Sequence, residues 1–429
     1  MPSSGAGGRQ IPPADGTAGF CLLYARIGVQ DCVAVRKEAE VESFVHPEEE
    51  HMSDRNDSTA VTKPVQPARR RLLKAAGIAA GGAALSAPFI RNAAAAETTT
   101  WKVQTSWPAG VGLQTFKTWC AGIKEKTGGE LEFKGFAAKE VVGDFELLDG
   151  VRNGVLEAMN SFTLYWAGKL PATAFLSSYL MGLRYPHEWD IFFYSHGGLQ
   201  AARDLFAKQG MYYVNRIHHG PNIIHSKKPI RTIEDFKDLK LRVPGGMIAE
   251  GFAAIGAKTT LLPGGEVFSA LEKGTVDAAD YTGPAVNWDL GFQQVSKYIW
   301  TGPPGLESVY QPVDLMDLVV RMDVWNKLSP KMKAWVDEEV QVYSNVHHGA
   351  IQKADMEAWG KFEKAGVQIN RLPAEDLPKF QRVAVPIWFK WANKDKDAAK
   401  IFKLQLDVME SHTCGYVTPD MYKGLKIDV

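Results

Sequence analysis

Cysteine is scarce in this chain, four among 429 residues, at Cys21, Cys32, Cys120 and Cys414. No two of them stand in the C-x-x-C spacing that a zinc knuckle or dithiol redox site uses, so neither motif is present. Net charge is also missing: 49 Lys and Arg balance 49 Asp and Glu. Beyond Arg69-Arg70-Arg71 there is no basic run, which removes the electrostatic case for a nucleic-acid partner. Catalytic signatures are absent too. There is no G-x-S-x-G elbow, no H-E-x-x-H and no G-x-x-x-x-G-K-[ST], and Gly245, Gly246 and Gly251 do not complete a dinucleotide fingerprint. The apolar run Ala75 to Ile90 is too short and glycine-rich to favour a membrane-spanning helix.

What is present divides into three parts. Residues 1–51 are rich in Gly, Pro, Ser and charge without periodicity, and read as a disordered extension or as sequence upstream of a true start at Met52. Residues 52–96 carry a polar segment, Ala68-Arg69-Arg70-Arg71-Leu72-Leu73-Lys74, the apolar run, then Ala94-Ala95-Ala96. This is the layout of a twin-arginine export signal cleaved after Ala96, with an uncleaved anchor as the alternative. Export leads to the periplasm, an oxidising compartment where Cys120 and Cys414 could pair, although their separation in sequence decides nothing. Residues 97–429 are left as the folded body. The chain is 45% apolar and 23% charged, enough to bury a large core.

Within that body strands and helices alternate, which defines an α/β fold with a largely parallel sheet. Trp101 to Trp107, Leu131 to Phe136 and Ala158 to Phe162 read as strands. Helical spacing covers Leu113 to Thr127, Glu146 to Asn153, Trp189 to Gln209 and Trp288 to Tyr298, with Ile299 to Gly305 breaking the last. Met211 to Asn215 is a strand that runs into His218-His219-Gly220-Pro221-Asn222, where a second lobe begins. Lobe 1 then covers about 97–217 with returning segments and lobe 2 about 218–320. Ser329-Pro330 is a helix start, a side-chain cap followed by proline at the first helical position. The apolar pattern behind it continues over 330–365, long enough to span both lobes at a hinge. Two more helical patterns fill 372–414. His347 and His348, adjacent on the long helix, face different ways and cannot chelate one ion together.

The centre of the body is Leu239-Lys240-Leu241-Arg242-Val243-Pro244-Gly245-Gly246, followed by Leu262-Pro263-Gly264-Gly265-Glu266 and Val276-Asp277-Ala278-Ala279-Asp280-Tyr281-Thr282-Gly283-Pro284. Each strand delivers polar side chains to a Pro/Gly turn at its carboxyl end, the place where α/β sheets bind ligands. Arg242 suits a bidentate grip on a carboxylate. Asp280 is an odd neighbour for an anion unless a cation lies between them. Asp277, three residues away on a strand, points to the opposite face, so the two aspartates are not an acid/base pair.

These stretches resemble the substrate-binding proteins of TRAP transporters, the DctP family, over about residues 101–415. The run 262–281 is similar to the branch that binds 2-oxo acids and lactate. The resemblance implies a two-lobed, periplasmic-binding-protein-like receptor that is not an enzyme and needs no catalytic cofactor. It implies that Arg242 fixes a ligand carboxylate, with Asn222, Tyr165, Trp166 and Tyr281 as further ligand contacts and Trp107 as a weaker candidate for the pocket wall. It also implies a Na⁺ or Ca²⁺ ion held by Asp280, Gln311 and the Tyr281 main chain, Glu307 being the alternative to Gln311; hard cations prefer such oxygens. The expected partners are a small carboxylate and the TRAP membrane permease. A homodimer built through C-terminal helices is a further expectation, with Val385-Pro386-Ile387-Trp388-Phe389 as the compatible apolar stretch. The rivals are an exported organic-acid enzyme using Asp280 with His219, and a sensor subunit that presents its ligand to a membrane kinase.

Overall fold

The computed structural model describes residues 98–429. The export signal, its cleavage after Ala96, the alternative start at Met52 and the first two cysteines lie outside the described residues. Two sheets organise the rest, with strands numbered in chain order. The first has the order β2 (Leu131–Phe136), β1 (Thr99–Thr105), β3 (Ala158–Ser161), β10 (Asp314–Arg321) and β4 (Met211–Gly220). The second has β11 (Gln368–Arg371), β9 (Tyr298–Thr301), β5 (Ile223–Ser226), β8 (Ala278–Tyr281), β6 (Lys240–Val243) and β7 (Lys258–Leu261).

Both sheets are mixed rather than largely parallel. β1 pairs in parallel with β2 and β3, and β6 with β7 and β8, because a helix carries the chain back between them. β10 is antiparallel to β3 and β4, and β5 is antiparallel to β8 and β9. β5 and β10 are the strands that enter directly from the other sheet, with no crossover helix to enforce parallel entry. The segment read from sequence as the end of the second lobe, Asp314–Arg321, therefore sits inside the first sheet.

Two helices expected from the sequence are interrupted. Trp288 to Tyr298 splits into Pro284–Asp289 and Phe292–Val295 around Gly291, whose φ of 83° is left-handed, and Tyr298 already belongs to β9. Ile299 and Trp300 are buried strand residues, not a break. Trp189 to Gln209 becomes a short helix at Pro186–Asp190, a π turn over Ile191–Ser195, and a helix at Gly198–Ala207.

A 35-residue helix, Pro330–Lys364, ties the two lobes together. The Ser329 side chain accepts from the Met332 N–H at 3.1 Å and Pro330 follows it. At ~1.5 Å per residue it is about 50 Å long. Its buried stripe, Val336, Val340, Tyr343, His347, Ile351, Asp355, Ala358 and Phe362, advances by three and four residues. It packs on β4 and on the helix Gly110–Lys126 at one end, and on Pro284–Asp289 and β11 at the other. Ser344 in its middle fastens β4, accepting from Arg216 Nη1 at 2.9 Å and from the His218 N–H at 3.0 Å. His347 is buried against Thr115.

The C-terminal helices Leu377–Ala392 and Lys396–Glu410 close over both lobes. Val385, Trp388 and Phe389 are buried within this chain, and Trp388 Nε1 donates to the Leu180 carbonyl at 2.8 Å. Apart from the exposed Pro386, the stretch 385–389 is thus covered by its own core. Cys120 and Cys414 are both free: Cys120 is buried in the core beside β2, Cys414 packs beside the C-terminal helices, and they form no disulfide. Among the described residues no helix is long and apolar enough to cross a membrane.

Candidate functional site

The carboxyl ends of β6 and β8 point into a cleft between the two sheets. The cleft is lined by Phe162, Leu164, Tyr165 and Asp314 from the first-sheet side, by Arg242, Pro244, Asp280, Tyr281 and Thr282 from the second, and by Asn222 and Gln311 from the two crossover segments. Its enclosed space is small, about 20 Å³, on the measure by which a single water needs roughly 10–15 Å³. The walls meet closely. A Cβ on Gly246, whose φ is 57°, would come within 2.7 Å of Leu164 Cδ1, and one on Gly264 within 2.8 Å of the Tyr281 hydroxyl. The Pro-Gly-Gly turn lets the second lobe approach Leu164 of the first where a side chain would hold them apart, and Gly264 leaves room for the Tyr281 ring within the second lobe.

Arg242 is 2% exposed. Its Nε and Nη2 donate to the Leu262 carbonyl at 3.0 and 2.8 Å, and Nη1 donates to the Asp280 carbonyl at 2.7 Å. A guanidinium has five N–H groups, so main-chain carbonyls hold three and fix its plane. Two remain, one on each terminal nitrogen. The one on Nη1 reaches Asp280 Oδ2 at 3.5 Å, a loose contact. Parallel pairing of β6 with β8, Arg242 opposite Ala279, sets this neighbourhood. The Tyr281 ring lies 5.7 Å below the guanidinium carbon.

Asp280 is fully buried, and its Oδ1 has no hydrogen-bond partner. Burial pushes its carboxyl up to about 7; the Arg242 guanidinium opposes the rise and the Asp314 carboxylate adds to it. The Tyr310 hydroxyl, also without a partner, adjoins it. Asn222 sits one residue before β5, whose Ile223 pairs with Tyr281. Its N–H donates to the Gln311 carbonyl at 3.0 Å and its Nδ2 to Gln311 Oε1 at 3.1 Å. Asn222 Oδ1, like Asp280 Oδ1, is buried and unpartnered.

Two unpaired buried oxygens on one cavity, with Gln311 Oε1 close behind, suit a hard cation, which takes its ligands as oxygens. Among the described residues no three His, Cys, Asp or Glu side chains converge as a metal cluster. The donor set is one carboxylate with amide oxygens. Asp280, Asn222 and Gln311 are the side chains that would hold a cation, and its charge would keep Asp280 ionised.

Arg242, Asn222, Tyr165, Tyr281, Asp280 and Gln311 therefore share one cavity. Trp166 does not join them: it is 1% exposed inside the hydrophobic core, one residue along a 3₁₀ turn from Tyr165. Trp107 stands behind the wall, 5.7 Å from the Phe162 ring. Glu307 lines a separate cavity behind the crossovers, with His348 and Gln352. His219 does not line the cleft; its nearest acidic atom is Asp314 Oδ2 at 3.8 Å. Asp277 lies beyond the other end of β8, paired with Lys228. Sequence reasoning missed Asp314, Tyr310, Leu164 and Thr282, which carry no local motif.

A narrow cleft between two mixed sheets, joined by two crossovers and one long helix and holding an oriented arginine, is the architecture of a two-lobed solute receptor. Its family can be stated outright. Residues 108–395 match the model of the bacterial extracellular solute-binding protein family 7, DctP, and the chain belongs to that family. Its members are receptors rather than enzymes.

A monocarboxylate 2-oxoacid-binding periplasmic protein of Nostoc sp. is 28% identical over 344 residues, spanning 78% of this chain and 92% of that protein. A TRAP periplasmic solute-binding protein of Rhodobacter sphaeroides, in an apo open structure, is 26% identical with a TM-score of 0.57, over 72% of this chain and 98% of that one. A TRAP periplasmic solute-binding protein of Colwellia psychrerythraea, solved with bound calcium and pyruvate, is 23% identical with a TM-score of 0.63, over 72% and 94%. At that identity the last likeness speaks for the fold alone.

Proposed function

We propose that this chain is the extracytoplasmic receptor of a TRAP transporter and binds a small monocarboxylate of the 2-oxo acid or lactate type together with a cation. The observation that carries the reading is the pairing, in one buried cavity, of an arginine with one free N–H and one held only loosely, and of two oxygens without partners. The first recognises a carboxylate and the second a cation. A ligand with a carboxylate at one end and a second oxygen on the next carbon can use both.

Arg242 takes the ligand carboxylate, replacing its loose contact to Asp280. Tyr165, Phe162, Leu164 and Tyr281 wall the cleft and exclude water, which strengthens each polar contact. A cation at Asp280, Asn222 and Gln311 supplies positive charge to the ligand's second oxygen. The Tyr281 main chain is a further candidate ligand. The 2-oxo acid binding of the Nostoc relative supports the choice of ligand class.

The small volume of the cleft fits a closed arrangement of the lobes, and entry requires them to part at the crossovers 220–222 and 311–313. Hinge closure of this kind presents a two-lobed surface to a membrane permease. The export signal expected within 52–96 would deliver the receptor to the periplasm.

Calorimetry tests the reading, using pyruvate, lactate and longer 2-oxo acids in chelator-treated, sodium-free buffer, then with Ca²⁺ or Na⁺ restored. Binding that needs both the carboxylate and a cation is expected, with the ligand recovered unchanged by NMR. If no such acid binds under any cation condition, or if the ligand is converted, the proposal falls.

A further inference from the structure

The two crossovers that wall the cleft also wall a second cavity, of about 310 Å³. Asn222 and Gln311 face the cleft, whereas their neighbours Gly220, Pro221, Pro312 and Val313 line this one. Pockets that take small organic molecules hold roughly 300–1,000 Å³. Four charged, imidazole or amide side chains belong to its lining. Arg184 comes from the segment before the helix Pro186–Asp190, Glu307 from the loop between β9 and β10, and His348 and Gln352 from the long helix. Among the described residues, none of these four side chains makes a hydrogen bond or an ion pair. Arg184 and Glu307 use only their main chains, the Arg184 N–H donating to Glu188 Oε2 and the Glu307 carbonyl accepting from the Gly302 N–H.

The Tyr416 ring supports the Arg184 guanidinium carbon at 3.8 Å, and Arg184 Nε is buried with no acceptor. An aromatic face steadies a guanidinium but gives its five N–H groups no oxygen. Burial holds His348 below its ordinary range, so the charges at the cavity are one of each sign. Arg184 and Glu307 nevertheless form no ion pair with each other. A molecule that carries both a carboxylate and an ammonium can meet both. Leu306, Val313, Pro221 and Pro312 make the rest of the wall largely apolar.

We infer that this cavity is a second ligand site, for a zwitterionic α-amino acid with an apolar side chain, and that its occupancy favours closed lobes. Arg184 takes the carboxylate with the planar fork that suits it. Glu307 takes the ammonium, and the apolar wall covers the side chain. No residue of the cleft takes part, so the site goes beyond the receptor reading. Its link to the cleft is mechanical. Entry to the cleft requires the crossovers to shift, and the cavity has its present shape only while they stay as they are. A ligand that binds one arrangement better draws the population toward it, and such coupling acts equally in both directions.

The test is calorimetry with L-leucine and L-phenylalanine, titrated into wild type, Arg242→Ala, Arg184→Ala and Glu307→Gln. We expect at least one of the two to bind wild type and Arg242→Ala alike, and to bind about 10–100-fold more weakly to Arg184→Ala and to Glu307→Gln, each of which lacks one charged partner. In Arg242→Ala, whose cleft is disabled, 4-methylpentanoate and 3-methylbutylamine, each with one of leucine's two charges, should bind at least about tenfold more weakly than leucine. Pyruvate affinity in wild type at fixed Ca²⁺ should rise about 5-fold or more when the amino acid is saturating. Arg184→Ala should abolish that rise and leave pyruvate affinity by itself unchanged. If Arg184→Ala does not fold without its stack on Tyr416, Glu307→Gln carries the comparison. No binding of either amino acid, binding that only Arg242→Ala removes, or binding that survives both Arg184→Ala and Glu307→Gln overturns the site. Pyruvate affinity that a saturating amino acid leaves unchanged overturns the coupling. A wild type that binds no acid under any cation removes the receptor reading and the coupling, while the amino-acid titrations still decide the site.

Discussion

Replacing Asp280 by asparagine should stabilise this protein and disable it. The carboxyl of Asp280 moves from its ordinary 3.8 to about 7 because it is buried. The folded chain therefore keeps that proton well above the pH at which the unfolded chain releases it. Where the folded state binds more protons, stability falls as pH rises. The loss begins near pH 4, grows until about pH 7 and is constant above. One unit is worth ~1.4 kcal/mol, so burying this carboxyl costs roughly 2 kcal/mol at pH 5, where only the unfolded chain has released the proton, and roughly 4 kcal/mol at pH 8. Asparagine has the shape of the protonated acid and nothing to ionise. The stability of Asp280→Asn relative to wild type should accordingly rise by roughly 2–3 kcal/mol between pH 5 and pH 8. At roughly 2 °C per kcal/mol for a chain of this size, that is about 5 °C in melting temperature. The assay is a pair of thermal melts across pH in chelator-treated, sodium-free buffer, since a bound cation would offset the cost in wild type. Other buried carboxyls titrate in both proteins and cancel. A difference that stays flat from pH 5 to pH 8 would refute the assignment of the raised carboxyl to Asp280. In the same variant the cation dependence of ligand binding should vanish.

Other outcomes follow from the same geometry. Arg242→Ala should weaken carboxylate binding by on the order of 2–5 kcal/mol, and Arg242→Lys should restore little, because an ammonium cannot offer two parallel N–H groups; calorimetry that finds affinity within a few-fold of wild type for either would contradict the carboxylate role. Cation affinity should drop about tenfold per pH unit below roughly pH 7, as protons compete for Asp280, and should level off above; a profile flat from pH 5 to 8 would count against Asp280 as a ligand. Lys139 and Glu266 form an ion pair at 2.9 Å between the loop after β2 and the turn after β7, both half in solvent. Reversing one charge, Glu266→Lys, should reduce ligand affinity by no more than about 1 kcal/mol, with the effect fading at high salt. Thiol titration of the folded protein should find Cys120 and Cys414 reduced but slow to react, since burial holds both thiols above their ordinary range, and reducing agent should leave the melting temperature unchanged.

Local chemistry was legible in the sequence; what depends on distant neighbours was not. Ser329-Pro330 announces the long helix because a cap and a fixed φ act within one turn. The strand carrying Arg242 ends at proline for an equally local reason. Strand direction has no such signal. β10 and β5 are antiparallel because of where the chain comes from, not because of which residues they contain. Tyr298-Ile299-Trp300 suits a helix end or a buried strand equally, and only pairing with β5 and β11 decides. The run 385–389 shows that it must be covered, but its cover turned out to be its own chain.

The site divides along the same line. Tyr165 and Trp166 are adjacent aromatics, and a 3₁₀ turn sends one to the cleft and the other to the core, a choice made by the wall and not by the pair. Asp314 is the sharper case. In sequence it is the first residue of a strand, three positions after Gln311. Its contacts, to Ser177 directly and through Gln311 to Asn222, exist only in the folded chain. A residue that touches the ligand can be sought by its chemistry. One that meets its partners only across the fold is set by geometry, and geometry is what the chain acquires by folding. The raised carboxyl of Asp280 belongs to this second kind: no aspartate is costly in an extended chain, and this one becomes so only when the lobes bury it beside Asp314. A cation that neutralises it would remove the cost and hold the cleft ready for an anion, so a destabilising feature of the fold is also the reason it would bind two oppositely charged partners together.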